Sequence, residues 1–301
     1  MKQKIGFVGV GAMGWPMASN LIKAGFTVQI ADARPAQASK FSAETGARVA
    51  ASLRALGEAS DIVITMLPTS RIVRSVLLES HGMDQGIAAG LRPGAIVIDM
   101  SSGAPAETAA IAGQLAGQKV AMIDAPVSGG VRKAVTGELA IMVGGDKNVA
   151  AEADPILKAM GKSVIWAGGI GSGQAMKALN NLVSAGGFLI GIEALLVGKK
   201  FGLDPAVMVD ILNASTGMNN STQVKFKQFV LSESFGSGFA LDLMVKDIGI
   251  ALDVAKDLGV DAPFSALCRN IWAAAQADLG TGRDHTELAR FAAKTAGVSL
   301  K

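Results

Sequence analysis

The sequence predicts an α/β protein in which a doubly wound, mainly parallel sheet is followed by an all-α domain. Up to about residue 167, short runs rich in β-branched residues alternate with segments of helical spacing. Beyond residue 171 the β-like runs stop and the spacing is helical throughout. Apolar strands separated by crossover helices are typical of a parallel sheet covered on both faces. These patterns predict two domains, 1–167 and 168–301, joined by a long interdomain helix.

The strands of the first domain are predicted from its apolar runs. In chain order these are KIGFVG, TVQIAD, DIVITML, AIVIDMS, KVAMIDA, LAIMVGG and SVIWAGG. Helices of the second domain are predicted at 174–201, 204–214, 219–231, 240–259, 263–279 and 285–296. Pro205 and Pro263 suit the first turn of a helix, and Gly202 and Gly259 suit a helix end.

Composition excludes several classes of protein. Half of the 301 residues are hydrophobic and 18% are charged, with a formal net charge of +3. The basic residues form no stripe of the kind that binds nucleic acid. A single cysteine, Cys268, rules out an internal disulfide and a cysteine-rich metal site, and it suits the reducing cytoplasm. The apolar run 182–198 is interrupted by Glu193, which favours a buried interdomain helix over a membrane span.

A glycine-rich turn directly follows the first strand and opens a helix. In GFVGVGAMG, Gly9 permits a tight turn, Gly11 lets a pyrophosphate approach the backbone, and Gly14 lets strand and helix pack closely. Ala12 and Met13 complete the turn at the helix N-terminus, where an anion is favoured. In this strand–turn–helix context the motif predicts a Rossmann-type dinucleotide site.

The second strand ends at Asp32, where a carboxylate accepts hydrogen bonds from the adenine ribose in this class of site. Asp32 therefore predicts NAD. Arg34 follows two residues later and could meet the 2′-phosphate of NADP, but Asp32 would repel that phosphate. A purely structural alternative, in which Asp32 caps a turn before Pro35, would leave the glycine motif without its partner.

Lys177 is the candidate for the residue that moves the substrate proton. The chain has no tyrosine, and its histidines, His81 and His285, lie in segments that predict surface positions without a catalytic role. Lys177 precedes an almost wholly apolar helix, and a lysine that loses hydration gives up its proton more readily. Asn181 shares its helical face. The alternative, in which Lys177 extends to solvent and Asn181 merely caps its neighbours, is open at this point.

Four motifs in order resemble the β-hydroxyacid dehydrogenase family, whose members include 3-hydroxyisobutyrate, tartronate semialdehyde and L-threonate dehydrogenases. The motifs are GFVGVGAMGWPMASNL, DAPVSGG, GSGQAMKALNN and KDIGIAL. The resemblance covers essentially the whole chain and implies that Lys177 is catalytic and that Asn181 helps to hold the substrate. It also implies that Ser128, Gly129 and Gly130 bind the substrate acid group. It places Leu67, Pro68, Ser102 and Lys246 at the cofactor, and Asp247 at the substrate.

The expected reaction is hydride transfer between NAD and a small β-hydroxy acid, without a metal or a nucleic-acid or membrane partner, in a homodimer or homotetramer. The segment 215–226 contains Asn219, Asn220, Ser221 and Thr222, which would suit a substrate with extra hydroxyls if they lined the pocket. Glycerate, tartronate semialdehyde and L-threonate are therefore candidates beside 3-hydroxyisobutyrate. An imine reductase and a non-catalytic dinucleotide-binding module are the alternatives.

Overall fold

A computed structural model describes residues 3–79 and 85–300 of the chain. The chain divides into two compact units, Met1–Lys177 and Ala178–Lys301. The α/β class and the helical second part predicted from the sequence are confirmed.

In the described part of the first unit, the sheet contains nine strands in the order β3-β2-β1-β4-β5-β6-β8-β7, with β9 paired to β8. The first six strands are parallel, β8 runs antiparallel to β6 and β7, and β9 is parallel to β8. The strands are β1 Lys4–Val8, β2 Thr27–Ala31, β3 Arg48–Val49, β4 Ile62–Thr65, β5 Ile96–Asp99, β6 Ala121–Asp124, β7 Val127–Ser128, β8 Leu139–Gly144 and β9 Gly161–Gly168.

Both faces of this sheet are covered by apolar cores, because successive side chains of a strand point to opposite faces. In β4, Ile62 and Ile64 belong to one buried cluster and Val63 to the other. Each such side chain contributes about 1.5–3 kcal/mol when fully buried. The helices of this unit are α1 Gly14–Lys23, α2 Pro35–Thr45, α3 Leu53–Glu58, α4 Ser70–Leu78, α5 Pro105–Ala116, α6 Gly130–Thr136 and α7 Lys147–Met160, with a 3-10 turn at Ile87–Gly90.

The second unit is helical in its described residues. Its core contains Phe188, Phe226 and Trp272, and the ring of Phe188 lies 5.3 Å from that of Phe226 and 5.9 Å from that of Trp272. The helices are α8 Ser172–Phe201, which begins in the first unit, α9 Pro205–Asn213, α10 Asn220–Val224, α11 Leu241–Asp257, α12 Pro263–Leu279 and α13 Leu288–Ala296. A π-helical turn spans Phe226–Leu231 and a 3-10 turn spans His285–Glu287.

By length and composition, α8 is apolar enough to cross a membrane, and it is the one such helix among the described residues. Half of its most apolar window is buried inside the protein. A core helix of a folded protein is also long, apolar and largely buried. Hydropathy alone does not distinguish it from a membrane span, so the burial of α8 is what supports its interpretation as a core helix.

Candidate active site

The glycine turn after β1 is closely packed at two of its three glycines. Gly9 has φ +94°, and a Cβ there would collide with the carbonyl oxygen of Met66. A Cβ on Gly14 would collide with the carbonyl oxygen of Gly9. Side chains are excluded at both positions, because the first needs a left-handed backbone and the second needs strand and helix to touch.

Gly11 lies in a different environment within the same turn. A Cβ built on it would find Arg34 Nη2 as its nearest described neighbour, 3.6 Å away. Gly11 and Met13 are partly exposed and Ala12 is exposed, while Gly9 and Gly14 are buried. The turn therefore presents bare backbone to open space at the N-terminus of α1, as a bound pyrophosphate requires.

Asp32 follows β2 and ties the glycine turn to the next loop. Its Oδ2 accepts a hydrogen bond from the Val10 amide at 2.9 Å, and its Oδ1 accepts from the Arg34 amide at 2.9 Å. The Arg34 Nε lies 3.2 Å from the same Oδ1, although the arginine side chain is 64% exposed and the Asp32 side chain only 6%. Asp32 thus does cap the local turn, and its carboxylate also lies at the edge of the glycine turn.

The loops after β4 and β5 are held together by a buried hydroxyl. Ser101 Oγ accepts a hydrogen bond from the Leu67 amide at 2.9 Å, and Ser101 is fully buried. Its neighbour Ser102 is partly exposed, as is Leu67, and Pro68 is exposed. The structure therefore separates two adjacent serines: Ser101 joins the loops, and Ser102 is partly exposed.

A buried polar network behind these loops was missed by the sequence reasoning. Asp99 Oδ1 accepts from Thr65 Oγ1 at 2.8 Å and from the Ser101 amide at 3.0 Å. Gln174 Nε2 donates to the Ser101 carbonyl at 2.9 Å and lies 3.3 Å from Asp99 Oδ2, while its Oε1 accepts from the Gly103 amide at 2.8 Å. Gln174 therefore joins the start of α8 to the loop after β5.

Asp124, at the end of β6, fixes the start of α8 from the other side. Its two oxygens accept from the amides of Gly171 at 2.7 Å and Gln174 at 2.8 Å. Burial raises the pKa of Asp124 above its ordinary value, and the two amide hydrogen bonds oppose that rise without cancelling it. Asp124 and Gln174 both lie inside the motifs DAPVSGG and GSGQAMKALNN, which was the available signal for this network.

The predicted acid-binding loop lies between β7 and α6. Ser128 ends β7 and is partly exposed, and Gly130 begins α6. Gly129 has φ +128°, and a Cβ there would lie 2.7 Å from Lys133 Cδ, so only glycine fits without strain. A Cβ on Gly130 would have no neighbour within 4 Å. The loop therefore has open space at Gly130, while Lys133 fills the space beside Gly129.

Lys177 and Asn181 lie one turn apart on α8, and both are buried, with 7% and 6% of their surface exposed. Burial of Lys177 rules out the alternative in which this lysine merely extends to solvent. Gln174, which anchors the helix start, is one turn before Lys177. The position of the Lys177 side chain is thus restricted by the start of α8, which Gln174 anchors, and by the burial of this face of the helix.

Asn181 is held within the second unit by an acid. Its Nδ2 donates to Asp247 Oδ2 at 2.6 Å, and Lys246 Nζ lies 3.2 Å from Asp247 Oδ1. Asp247 is 1% exposed. Asp247 is therefore a buried acid, while the Lys246 side chain is 24% exposed. Asp247 orients the Asn181 amide directly.

Two polar residues of the segment 215–226 cap a helix. Asn219 caps α10 by accepting from the amides of Ser221 and Thr222, and its Nδ2 donates to the Gly187 carbonyl at 3.3 Å. Thr222 Oγ1 completes a capping box with the Asn219 backbone. The side chains of Asn219 and Thr222 therefore satisfy a helix end, and contact of this segment with substrate hydroxyls stays a prediction.

His285 is placed differently from the surface position predicted for it. It is 3% exposed and packs against Phe188, Phe239 and Trp272. Burial, and then the charge of Lys225, lower the pKa of His285 to about 4, although Asp284 raises it. His81 lies outside the described residues. Within 3–79 and 85–300, no group of three or more His, Cys, Asp or Glu residues could hold a metal ion.

Two protein-family models together match nearly the whole chain. A family model of the NAD binding domain of 6-phosphogluconate dehydrogenase matches residues 4–168. A second model, described as NAD-binding of NADP-dependent 3-hydroxyisobutyrate dehydrogenase, matches residues 171–292. Together they extend over both the glycine turn and the lysine helix.

Individual relatives match over nearly their full length. The chain is 37% identical to the 2-(hydroxymethyl)glutarate dehydrogenase of Eubacterium barkeri, covering 99% of this chain and 97% of that protein. It is 38% identical to the 3-hydroxyisobutyrate dehydrogenase of Pseudomonas aeruginosa, covering 91% and 93%. The solved 3-hydroxyisobutyrate dehydrogenase of Mycobacterium tuberculosis with L-serine has a TM-score of 0.87 at 32% identity, covering 97% of this chain and 99% of that one.

Proposed function

The chain belongs to the β-hydroxyacid dehydrogenase family, and we propose that it transfers hydride between NAD and a small β-hydroxy acid with Lys177 as the general acid and base. Membership of this family makes it an NAD(P)-dependent oxidoreductase that acts on CH–OH groups. The observation that carries the assignment of Lys177 is its burial on α8, one turn from Asn181 and one turn after the anchored Gln174.

The residues of the first unit fit a bound dinucleotide. The open backbone at Gly11 gives room for the pyrophosphate, and Asp32 is available to the adenine ribose. When bound, the nicotinamide accepts or returns the hydride. Leu67, Pro68 and Ser102 would contact the cofactor from the loops after β4 and β5, and Lys246 from α11.

The chain's own groups then handle the proton and the substrate. Lys177 takes the hydroxyl proton during oxidation and returns it during reduction, and its positive charge stabilises the developing alkoxide. Ser128 and the amides of Gly129 and Gly130 hold the acid group of the substrate. Asn181, oriented by Asp247, binds the substrate beside the lysine. These contacts position the reacting carbon before the proton moves.

NAD is the proposed cofactor because Asp32 follows β2 and accepts from the Val10 amide of the glycine turn. In our proposal this carboxylate binds the adenine ribose, and its negative charge repels a 2′-phosphate. NADP is the second candidate, because the exposed Arg34 side chain next to it could meet that phosphate. The substrate candidates are 3-hydroxyisobutyrate, 2-(hydroxymethyl)glutarate, glycerate (the hydroxy acid of tartronate semialdehyde) and L-threonate. The first two come from the names of the relatives.

The test measures formation of NADH or NADPH by the purified chain with each of these acids. In parallel, oxidation of NADH and of NADPH is measured with cyclic imines. We expect turnover of at least one hydroxy acid with NAD and none of the imines. Imine reduction without hydroxy-acid oxidation would replace this proposal by the imine reductase alternative. If the enzyme prefers NADP, the proposed reaction still stands, but the proposed role of Asp32 in selecting NAD is wrong.

We also propose that the protein is a cytoplasmic homodimer or homotetramer. Large apolar side chains are exposed on the second unit, among them Val183 and Val197 on α8 and Phe201 at its end. Exposed apolar surface of this kind marks protein interfaces. Light scattering on the purified protein decides the assembly, and a monomer at micromolar concentration would contradict it.

A further inference from the structure

Lys225 is a partly buried lysine that the proposed chemistry does not use. It lies between α10 and the π-helical turn, and its Nζ is 3.1 Å from Ser184 Oγ and 5.9 Å from the centre of the Phe188 ring. Placing an ammonium group here removes much of its hydration, which costs free energy unless a partner compensates. The hydroxyl of Ser184 is a neutral partner and compensates only in part.

Two other lysines of this unit pair closely with acids. Lys227 Nζ lies 2.5 Å from Asp210 Oδ1, and Lys294 Nζ lies 2.6 Å from Asp278 Oδ1. Among the described residues, no carboxylate oxygen lies within 4.0 Å of Lys225 Nζ. Lys225 is therefore a partly buried cation without a carboxylate at ion-pair distance among the described residues, and an anion from outside the chain could take that place.

The charged surroundings of Lys225 agree with this. Burial lowers its pKa to about 8, and the more distant Asp284 raises it by a smaller amount. His285 also faces the lysine and is neutral at pH 7, because its pKa is about 4. At neutral pH, Lys225 is still protonated and can bind an anion.

The position of Lys225 beside α8 indicates which kind of anion it could bind. Lys177, Asn181 and Ser184 follow one another at spacings of four and three residues, so they share one face of the helix. At 1.5 Å per residue, Ser184 is about 10 Å beyond Lys177 along the helix axis and about 4.5 Å beyond Asn181. The hydroxyl that holds Lys225 thus continues the row that begins with the proposed acid–base group and the proposed substrate amide.

We propose that Lys225, held by Ser184, binds a second anionic group at the end of the substrate remote from the reacting hydroxyl. The preferred substrate is then a β-hydroxy acid with a distal carboxylate or sulfonate, not a simple monocarboxylate. This inference rests on the proposed function, since it needs Lys177 and Asn181 at the reacting end. A charge-assisted hydrogen bond from a partly desolvated ammonium group gives both affinity and selectivity for such an anion.

The test compares substrates that differ only at the distal end. The probes are 2-(hydroxymethyl)glutarate, its analogue with the distal carboxyl group as an amide, the analogue with a distal sulfonate, and 3-hydroxyisobutyrate. For wild type we expect kcat/KM at least about tenfold higher for the dicarboxylate than for the amide. The sulfonate analogue shows whether the subsite accepts any anion or requires the planar carboxylate.

The variants separate charge from structure. Lys225→Met should lower kcat/KM for the dicarboxylate by about 10- to 100-fold, mainly through KM, and should change the amide and 3-hydroxyisobutyrate by less than about threefold. Lys225→Arg should keep most of the preference. Lys227→Met removes a lysine two residues away and should leave the preference unchanged.

Three results would overturn the subsite: no preference by wild type, an equal loss on all probes in Lys225→Met, or the same loss in Lys227→Met. The wild-type comparison needs no variant, so it decides the question even if Lys225→Met fails to fold. Turnover of 3-hydroxyisobutyrate without preference for the dianions would overturn the subsite alone. Turnover of none of the acids would overturn the proposed function and the subsite with it.

Discussion

The two units hold their polar side chains in different ways. In the first unit, the acids at the ends of β2, β5 and β6 accept hydrogen bonds from backbone amides: Asp32 from Val10, Asp99 from Ser101, and Asp124 from Gly171. In the second unit, three of the polar contacts described above or close to them join one side chain to another. Asn181 binds Asp247, Lys225 binds Ser184, and Ser237 binds both Asp284 and His285.

This difference explains why the positions of the strand-end acids in the first unit are easier to predict from the sequence than the side-chain pairs of the second unit. The carboxyl ends of parallel strands meet at one edge of a sheet, so a residue there has its position fixed by the strand that precedes it. A pair such as Asn181 and Asp247, 66 residues apart, forms only when two helices pack. The predictions below test this contrast, from the largest expected effect to the smallest.

The buried histidine of the second unit should make the protein acid-sensitive. Because the folded state keeps the pKa of His285 near 4 while the unfolded chain has its ordinary value near 6.5, the unfolded state binds more protons between these values. Stability present above about pH 6.5 is therefore lost as the pH falls toward 4, by on the order of 3 kcal/mol. Urea unfolding of wild type and His285→Gln from pH 4 to 8 measures this. Parallel stability curves for the two proteins would show that His285 is not the cause.

The Gln174 network of the first unit should control both stability and turnover. Gln174→Leu leaves the Gly103 amide and the Ser101 carbonyl without this partner, which should cost about 2–3 kcal/mol of unfolding free energy. We expect kcat to fall about tenfold as well, because the same residue anchors the helix that carries Lys177. Denaturant unfolding and steady-state kinetics measure both effects. Gln223→Leu, at an exposed position, is the control, and an unchanged kcat in Gln174→Leu would remove the network from the active site.

The sheet and most helix positions were predictable because they depend on local patterns. All seven predicted strands are present, and the helix predicted at 263–279 has those bounds in the structure. The two-residue strands Arg48–Val49 and Val127–Ser128 were not predicted, because a run of two residues has no periodicity and is defined only by its neighbours in the sheet. The predicted helix 219–231 divides at Lys225 into α10 and a π-helical turn.

The candidate site was predictable to the extent that its residues lie in short motifs. The glycine turn with Asp32, and Lys177 with Asn181, are of this kind. The link between Asp99 and Gln174 joins residues 75 positions apart, and the burial of His285 needs rings from other helices. The motif GSGQAMKALNN marks Gln174, but no pattern along the chain identifies its partner Asp99 or the rings around His285. The roles of the site residues stay predictions until they are measured.

Cofactor choice should depend on one carboxylate of the first unit. Asp32→Asn keeps an oxygen that can accept from the Val10 amide but removes the charge that repels a phosphate. We expect the ratio of kcat/KM for NAD to that for NADP to fall about tenfold. Arg34→Gln is the matched control and should not lower that ratio. A ratio unchanged by Asp32→Asn would show that the carboxylate only caps the turn.

The smallest effect is expected at the acid-binding loop, where backbone amides supply most of the proposed contacts. Ser128→Ala should raise KM for the hydroxy acid by about three- to tenfold, since one hydrogen bond from a neutral hydroxyl donor is lost, and should leave NADH binding unchanged. Ser163→Ala, at an exposed position of β9, is the control. Gly129→Val is less informative, because its φ of +128° would strain any larger residue. Unaltered KM in Ser128→Ala would exclude this hydroxyl from the substrate contacts.

The most direct test of the account is the turnover of Lys177→Ala measured beside its affinity for NADH. Because the lysine acts on the substrate proton and not on the cofactor, kcat should fall at least about 10²-fold while NADH binding, followed by fluorescence, stays within about twofold of wild type. Lys158→Ala, which removes an exposed lysine, should match wild type in both. A Lys177→Ala protein that keeps a quarter or more of the wild-type turnover would contradict the assignment of Lys177 as the acid–base group.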